Sequence, residues 1–419
     1  MRTGKRMLLM FLHGRPAAEM PRRYTLKAKS NIEMIRLSVI CILLLLVGCK
    51  ADSSNTANSF KSLADNIIVY ENDDTFEKYE AVEALRIADE DVTPLFGRLN
   101  QVRVLSDGSI LVFDAATVRI HHFDVKGNFL STFGSSGEGP GEFSNEAIIQ
   151  VHNDELFVFE RLAYKIEKFT FQDSRWFHTE SIPIENIEDD LPWSFLKIDD
   201  DYIWMQYRHT KESEKGAPIS VHHVTTLERS DSTIAKTWHA TLPDIDLMFE
   251  DLGGFIASYP IPYTPRPIVN ITSNNDIIIA RTDEFSFLRK SADTTNSSIL
   301  STLPIENIRL TSQEKQNMSG YADRIHQMVR ENMPEFRPAV ISRIIPDAQN
   351  GFWAGYQIAD QSENRWLYID EFGSIRSEVY LPHTFTPHTF FEDVFFGLQP
   401  DVDEVNAIKA YRIDLSPTN

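Results

Sequence analysis

Residues 101–143 read QVRVLSDGSILVFDAATVRIHHFDVKGNFLSTFGSSGEGPGEF, and this stretch decides the fold. It contains four runs in which apolar residues alternate with polar ones, namely Val102–Leu105, Ile110–Phe113, Arg119–Val125 and Phe129–Phe133. Turn residues separate the runs: Asp-Gly, Asp-Ala-Ala and Lys-Gly-Asn. Alternation with period two between such turns predicts an antiparallel meander of four short strands.

A single meander of this kind cannot cover both faces of its own sheet. It must therefore stack against further copies, and the arrangement that fits a copy of this length is the blade of a β-propeller.

The stretch also resembles the NHL-type propeller repeat. The residues that match the repeat are Asp114, Arg119, Ile120, Phe123, Asp124, Gly127, Phe129, Phe133, Gly134, Gly137, Gly139, Pro140, Gly141, Glu142 and Phe143. Thr117 stands where the repeat has Asn. The whole chain resembles the six-bladed propeller lipoproteins of Bacteroidetes-like bacteria. The resemblance implies the blade, and it implies little about function because propellers carry many unrelated activities.

Similar turns, each followed by a dense apolar strand, recur along the chain and divide it into six blades. A blade takes about 40–50 residues, and two of the intervals are longer and hold insertions. The predicted blades are 99–143, 146–185, 193–243, 266–305, 338–382 and 387–415. Seven blades would require residues 243–340 to be split in two, and too few turn signals lie there.

The last blade supplies only three strands, so its fourth must come from elsewhere. Tyr79–Ile87 is the predicted donor, and Ile67–Tyr70 is a possible second contributor. Pairing the two ends of the chain closes the ring and removes exposed sheet edges. The prediction is an all-β, six-bladed β-propeller of four-stranded antiparallel blades over residues 67–419.

Two insertions interrupt the blades. Residues 259–267, YPIPYTPRP, are predicted to be an extended connector rather than a strand. Residues 311–334 change to a period of about 3.6, which predicts a short amphipathic helical insertion. Its apolar stripe favours packing down on a blade, and a lid over the central opening is the alternative.

Residues 34–49, MIRLSVICILLLLVGC, form an export signal. The apolar run is shorter than the roughly 20 residues that a membrane-spanning helix needs, and its end resembles a bacterial lipobox. The resemblance implies cleavage before Cys49 and attachment of lipid to that thiol. Residues 1–48 are thus interpreted as an early start codon plus signal peptide, and 49–66 as a flexible tether. Lys50 after the cysteine implies outer-membrane sorting in such lipoproteins, so the bacterial cell envelope is the expected location.

The formal net charge of −20 makes nucleic acid an unlikely partner, because phosphate backbones are repelled. Expected partners are the membrane, through the lipid anchor, and a small ligand, a peptide or an envelope protein. A monomer is expected. With Cys41 inside the cleaved segment and Cys49 lipidated, neither a disulfide nor a cysteine-based metal site is available.

No catalytic motif is recognisable. The glycine-rich segment 134–143 runs into another strand rather than a helix, so it is interpreted as a crossing between blades and not as a phosphate-binding loop. Adjacent histidines on one strand, such as His121 with His122 or His222 with His223, point to opposite faces and cannot chelate one ion together. No metal ligand and no cofactor is predicted, although a single divalent ion on the axis is left open.

The candidate ligand-binding residues follow from position alone. The ends of the second strands and the loops after them should gather at one mouth of the central channel. The residues at that level are Asp114, Glu160, Arg161, Tyr207, Arg208, Arg281, Tyr356 and Gln357. Arginines and tyrosines with two acids suit a polar or anionic small ligand, or a peptide.

The sequence thus favours a lipid-anchored envelope propeller that binds a ligand or partner at its channel mouth without catalysis. The alternative is a metal-dependent lactonase, hydrolase or lyase on the same scaffold.

Overall fold

The computed structural model describes most of the chain from residue 60 onwards. The described residues are 60, 63–64, 66–73, 75–88, 95–185, 190–212, 218–229, 235–243, 247–251, 256–262, 264, 266–282, 285–291, 297–304, 308–316, 323–333, 336–337, 341–357, 363–400 and 406–414. The predictions for residues 1–48, for Cys49 and for most of the tether lie outside them.

Two strands precede the first blade, and each joins a sheet formed later in the chain. They are β1 (Ile67–Glu71) and β2 (Glu77–Ile87). Blade 1 follows as an antiparallel meander of β3 (Leu99–Val104), β4 (Ile110–Asp114), β5 (Arg119–Phe123) and β6 (Phe129–Phe133). These are the four strands that the alternation predicts. A short parallel pair, β7 (Ser135–Ser136) with β8 (Glu142–Phe143), forms the crossing to the next blade.

Blades 2 to 5 repeat the meander, and in each the first strand is innermost. Blade 2 contains β9 (Ile148–His152), β10 (Glu155–Glu160), β11 (Lys165–Gln172) and β12 (Arg175–Pro183). Blade 3 contains β13 (Asp190–Ile198), β14 (Tyr202–Glu212), β15 (Pro218–Glu228) and β16 (Lys236–Pro243). Between blades 3 and 4 lies the hairpin β17 (Leu247–Asp251) with β18 (Ile256–Pro260).

Blade 4 contains β19 (Pro267–Ile271), β20 (Ile277–Arg281), β21 (Ser286–Lys290) and β22 (Ser298–Thr302). The insertion after it contains β23 (Ile308–Arg309), α1 (Ser312–Gln316), α2 (Asp323–Asn332) and β24 (Phe336–Arg337). Blade 5 contains β25 (Ile341–Pro346), β26 (Phe352–Gln357), β27 (Glu363–Ile369) and β28 (Ile375–Pro382).

Blade 6 is closed by the N-terminal strand, as predicted. Its own strands are β29 (Thr386–Phe391), β30 (Val394–Pro400) and β31 (Asn406–Asp414), and β2 pairs antiparallel with β31. The register places Glu80 opposite Asp414 and Ile87 opposite Ile408. The start of β2 also pairs in parallel with β28, so blades 5 and 6 share one eight-stranded sheet.

The prediction that Ile67–Tyr70 contributes to the closing blade is wrong. β1 instead pairs in parallel with β22 and forms a fifth, outermost strand on blade 4. Side chains just before β1 explain the choice. Phe60 is fully buried, and Leu63 and Ala64 pack beside it in the apolar cluster between blades 3 and 4.

Local turn chemistry explains why blade 1 forms where it does. Gly108 has φ 82° and Gly127 has φ 85°, backbone conformations that residues other than glycine rarely adopt. Oδ1 of Asp107 accepts a hydrogen bond from the Ser109 N–H at 2.9 Å, and Asp124 accepts one from the Asn128 N–H at 2.8 Å. At Gly134, an added Cβ would lie 2.4 Å from the ring of Phe143. Phe143 itself is fully buried between blades 1 and 2.

The hydrophobic core is divided into six clusters, one between each pair of neighbouring blades. The cluster between blades 6 and 1 contains Ile87 from β2, Val112 from blade 1 and Ile408 from blade 6. The six innermost strands likewise contact one another in order, from β3 through β9, β13, β19 and β25 to β29 and back to β3. The predicted all-β, six-bladed propeller is therefore confirmed.

The two insertions pack on each other. Ile325 and Val329 of α2 are buried with Met333 against Met248 of the β17–β18 hairpin. Within the described residues, the predicted helical insertion contains α1 and α2, and residues 317–322 lie outside them. Its apolar face covers the other insertion rather than a blade. The predicted connector 259–267 begins inside a strand, because β18 extends to Pro260. Neither described helix is long and apolar enough to cross a membrane.

Both insertions join an outermost strand to the next innermost strand. Because successive strands in each blade are antiparallel, these connections leave the propeller on the face where the second strands end. That face is the one on which the sequence places the channel mouth.

Candidate functional site

In the described part of the chain, polar side chains on the innermost strands form hydrogen bonds to the next blade at five of the six blade junctions around the channel. Gln101 donates to the Ala147 carbonyl at 2.8 Å, and Gln150 donates to the Leu196 carbonyl at 2.8 Å. Three further side chains make the same kind of bond to a backbone carbonyl of the next blade. Lys197 of blade 3 donates to the Thr272 carbonyl, Asn270 of blade 4 to the Ile344 carbonyl, and Thr389 of blade 6 to the Val102 carbonyl. These bonds satisfy backbone carbonyls that face the channel and hold the six inner strands in register.

Basic groups from three consecutive blades lie together in this channel. They are Arg103 on β3 of blade 1, Arg343 on β25 of blade 5 and His388 on β29 of blade 6. Burial and the charge of Arg343 lower the pKa of Arg103 to about 10. Burial likewise lowers the pKa of Arg343. All three side chains keep a minor part of their surface accessible, as side chains lining a narrow channel should.

His388 reports the electrostatic potential at this point. Its pKa lies well below 6.5 because of burial first, and then because of the charges of Arg343 and Arg103. The imidazole is therefore neutral at pH 7. Its Nδ1 is buried and has no hydrogen-bond partner in the described structure. The two guanidinium groups thus act on His388 as positive charges, although the whole chain carries −20.

Few groups in the described structure offset the positive charges of Arg103 and Arg343. Nη1 of Arg103 donates to the Val102 carbonyl at 2.9 Å, and Nε donates to Oε1 of Gln150 at 3.1 Å. Among the described residues, no carboxylate forms an ion pair with Arg103 or Arg343. Buried guanidinium groups normally have anionic partners, because removing a charge from water is costly. Two neighbouring guanidinium groups without such partners have the chemistry to bind an anion.

Two of the sequence-predicted site residues accept hydrogen bonds from backbone N–H groups within the propeller. The buried carboxylate of Asp114 accepts hydrogen bonds from the N–H groups of Gly97 and Arg98, each at 2.8 Å. Burial opposes ionisation, yet these bonds keep the pKa of Asp114 below its ordinary value. Glu160 plays the same part in blade 2, where it accepts from the Ser144 and Leu162 N–H groups. In blade 4 the hydroxyl of Thr282 accepts a hydrogen bond from the Arg266 N–H at 2.8 Å.

Two predicted tyrosines are buried in the clusters between blades. Tyr207 lies between blades 2 and 3, and burial raises the pKa of its hydroxyl. Tyr356 lies between blades 4 and 5, and its hydroxyl accepts from Nη1 of Arg365 at 2.5 Å. Arg281 is half-buried at the end of β20. The side chain of Gln357 lies outside the described residues.

The structure brings two of the predicted residues together. The guanidinium of Arg161 lies 4.5 Å from the ring centroid of Trp193, and that of Arg208 lies 5.0 Å from the same ring. Arg161 also pairs with Glu146, and Arg208 Nε donates to Oγ of Ser220 at 3.2 Å. Arg161 comes from blade 2 and Arg208 from blade 3. Their shared contact with Trp193 makes a positively charged junction where second strands end.

Sequence reasoning missed Arg103, Arg343 and His388. It placed the site on loop ends, whereas these residues lie on innermost strands. One signal was available for Arg343, which stands where the alternation of β25 expects an apolar residue. Arg103 instead occupies an ordinary polar position between Val102 and Val104. Strand position alone does not show that blades 5, 6 and 1 bring the three groups together, because that depends on ring closure.

One group of described residues has the geometry to hold a metal ion. It consists of Asp190, His209 and His223 in blade 3. The predicted blade 3 begins at residue 193, so Asp190 lies outside the predicted blade. β13 in fact starts at Asp190.

The family model for DUF5128, described as a 6-bladed β-propeller, matches residues 56–296. The match covers more than half of the chain. The chain belongs to this family. The six interlocking blades agree with the description, and the match also includes β1 and β2, the strands that the N-terminal segment lends to blades 4 and 6.

The chain is also similar to solved structures of low sequence identity. A Bacteroides fragilis protein described as exported is 12% identical, with TM-score 0.42, over 83% of this chain and 99% of its own. A DUF4221 family member from Bacteroides vulgatus is 10% identical, with TM-score 0.48, over 81% and 99%. Virginiamycin B lyase from Staphylococcus aureus is 11% identical, with TM-score 0.40, over 80% and 99%. No curated protein matches the chain.

Proposed function

We propose that this propeller is a cell-envelope binding protein that holds a small anionic ligand in its central channel. The observation that carries the proposal is the pair Arg103 and Arg343, which lie within each other's field and form no ion pair with any described carboxylate. A carboxylate or phosphate group placed between them would supply the missing negative charge. Guanidinium groups bind both through paired N–H···O bonds.

The ligand is small because the site lies among the innermost strands. Nδ1 of the neutral His388 imidazole, which has no hydrogen-bond partner in the described structure, provides a further hydrogen-bonding atom beside the anion. Arg161 and Arg208 remain the proposed contacts at the entrance, where they would attract an anion towards the channel. The strongly negative remainder of the protein would then act against large polyanions such as nucleic acid.

The anion-binding proposal is tested by calorimetric titration of the purified protein with citrate and, separately, with inorganic phosphate at low salt. Arg343→Met keeps most of the side-chain volume and removes the charge. We expect it to weaken binding at least tenfold, because loss of one partner of a buried charge pair costs about 2–5 kcal/mol. Arg376→Met is the matched control, since Arg376 is exposed on β28 and pairs with Asp370 at 2.6 Å.

A second measurement separates a binding role from a structural one. Without ligand, Arg343→Met should raise the unfolding midpoint, because it removes an unbalanced buried charge. If wild-type protein binds neither anion, or if Arg343→Met binds as tightly as wild type, the proposal is overturned.

We further propose that the protein is a monomer held at the envelope by lipid on Cys49, with the outer membrane as the expected site. This part of the proposal rests on residues 34–49 of the sequence. A lipid anchor fits a binding protein that must stay near its ligand at the cell surface.

A further inference from the structure

Three side chains with metal-binding atoms converge on one face of blade 3. Asp190 is the first residue of β13, His209 lies on β14 and His223 on β15. The strand register places Asp190 opposite His209, and Tyr207 opposite His223. Because His209 and Tyr207 are two positions apart on one strand, all four side chains share one face of the sheet. One ligand atom from each of the three lies within 4.8 Å of the others.

The orientation of the two imidazoles is set by hydrogen bonds. Nδ1 of His209 lies 2.7 Å from Oδ1 of Asp190. Nδ1 of His223 lies 2.9 Å from the hydroxyl of Thr241, which leaves its Nε2 for another partner. Asp190 is buried, whereas His209 and His223 are half-buried, so solvent can reach the group.

We propose that Asp190, His209 and His223 bind one divalent transition-metal ion, with Zn²⁺ as the reference ion. Two imidazole nitrogens and one carboxylate oxygen are a common ligand set for such ions. Metal–ligand bonds of about 2.0–2.2 Å separate neighbouring ligands by roughly 3.3 Å in tetrahedral geometry. The Asp190 Oδ1–His209 Nδ1 distance of 2.7 Å reaches that spacing by a small side-chain rotation, and a proton on the ligating ring nitrogen passes to solvent as the ion binds.

Nearby groups define what the site would do. Thr241 acts as a positioning residue, because a hydrogen bond to the second ring nitrogen fixes a ligating histidine. The Lys236 ammonium lies 3.7 Å from the centroid of the Tyr207 ring and 4.0 Å from that of Trp238. Its charge acts on both Asp190 and His223, so it limits affinity. With three protein ligands, a tetrahedral ion keeps one position open for water or a ligand.

The test is calorimetric titration of chelator-treated full-length protein with Zn²⁺. Wild type should bind one ion per chain, and His223→Ala should weaken binding more than about 100-fold. Thr241→Val should weaken it about tenfold, since loss of a partner outside the ligand set costs 10–100-fold. His222→Ala is the matched control: it alters the neighbouring residue, whose ring contacts Trp193 on the opposite face of the strand. Its affinity should equal that of wild type.

Asp190→Asn tests the buried ligand, with circular dichroism as the check on folding. If that variant does not fold, the Zn²⁺ affinity of His223→Ala tests the proposal instead, because His223 is only half-buried. Absence of a one-to-one Zn²⁺ complex in wild type, or equal affinity in His223→Ala and His222→Ala, would overturn the proposal. The outcome is independent of anion binding in the channel, because the two sites share no residue.

Discussion

At the scale of single residues, the adjacent pair His121 and His122 shows how strand geometry separates neighbours. His121 packs with Phe96 and lies beside Asp114, whereas His122 packs with Trp176 of blade 2. Trp176 donates to Nδ1 of His122 at 3.2 Å, and Nε2 of His122 lies 3.1 Å from Oγ of Ser109. Both ring nitrogens of the neutral imidazole are thereby used, so protonation would break a buried bond.

This environment predicts a dependence of stability on pH. Burial lowers the pKa of His122 below 6.5, against the opposing charges of Asp107 and Asp124. As pH falls through 6.5, the unfolded chain gains a proton before the folded chain does, so the free energy of unfolding decreases. Between pH 7 and pH 5 we expect the decrease to be about 1 kcal/mol smaller in His122→Gln, since one pKa unit equals about 1.4 kcal/mol.

Urea unfolding at several pH values measures this effect. His383→Ala is the control, because His383 is exposed, and its pH dependence should follow that of wild type. An unchanged slope in His122→Gln would show that His122 is not a source of the acid sensitivity.

At the scale of secondary-structure elements, β1 and β2 are similar strands that contribute differently to closure of the ring. Both come from the N-terminal segment and both add an outermost strand. β2 completes blade 6 and places Ile87 in the cluster between blades 6 and 1. β1 adds a fifth strand to blade 4, which already has four. Only β2 is needed to close the ring.

Truncation separates the two roles. A chain beginning at residue 72 lacks β1 and should still unfold cooperatively, with a lower midpoint because Phe60 is lost from its buried position. A chain beginning at residue 89 also lacks β2, leaves β31 as an open edge, and should aggregate or lose its cooperative transition. Thermal unfolding and light scattering of both chains, compared with one beginning at residue 50, measure the difference. Cooperative unfolding of the shortest chain would contradict the closure role of β2.

At the scale of the whole molecule, ring closure brings basic side chains from distant parts of the sequence together in the channel. The six clusters between blades fix the inner strands around one axis, so Arg103 and Arg343 meet although 240 residues separate them in sequence. The chain as a whole carries a net charge of −20. Under the proposed function, the two guanidinium groups would attract a small anion, whereas the negative net charge would repel large polyanions.

The proposed anchoring concerns the whole molecule as well. We expect Cys49→Ser to move the protein from the membrane fraction to the soluble fraction of the cell envelope, because the thiol that would carry lipid is absent. Cys41→Ser alters the other cysteine, within the apolar run, and should leave the protein in the membrane fraction. Fractionation followed by immunoblotting gives the readout. If Cys49→Ser remains with the membrane, lipid is not attached at that residue.

The sequence by itself determined the blade, the number of blades and the strand that closes the ring. The signals were alternation with period two, turns such as Asp107-Gly108 and a last blade lacking one strand. These can be recognised in the sequence without knowing which surfaces pack together. The helical insertion was also visible as a change of period, although its packing partner was not.

Only the tertiary structure decided which polar side chains lie together in the candidate sites. Arg343 and His388 join Arg103 because blades 5, 6 and 1 are neighbours in a closed ring, and Asp190 meets His209 and His223 because of strand register in blade 3. β1 joins blade 4 because Phe60 finds a buried place between blades 3 and 4. Such contacts depend on which surfaces face each other after assembly, and the periodicity of a strand carries no information about that.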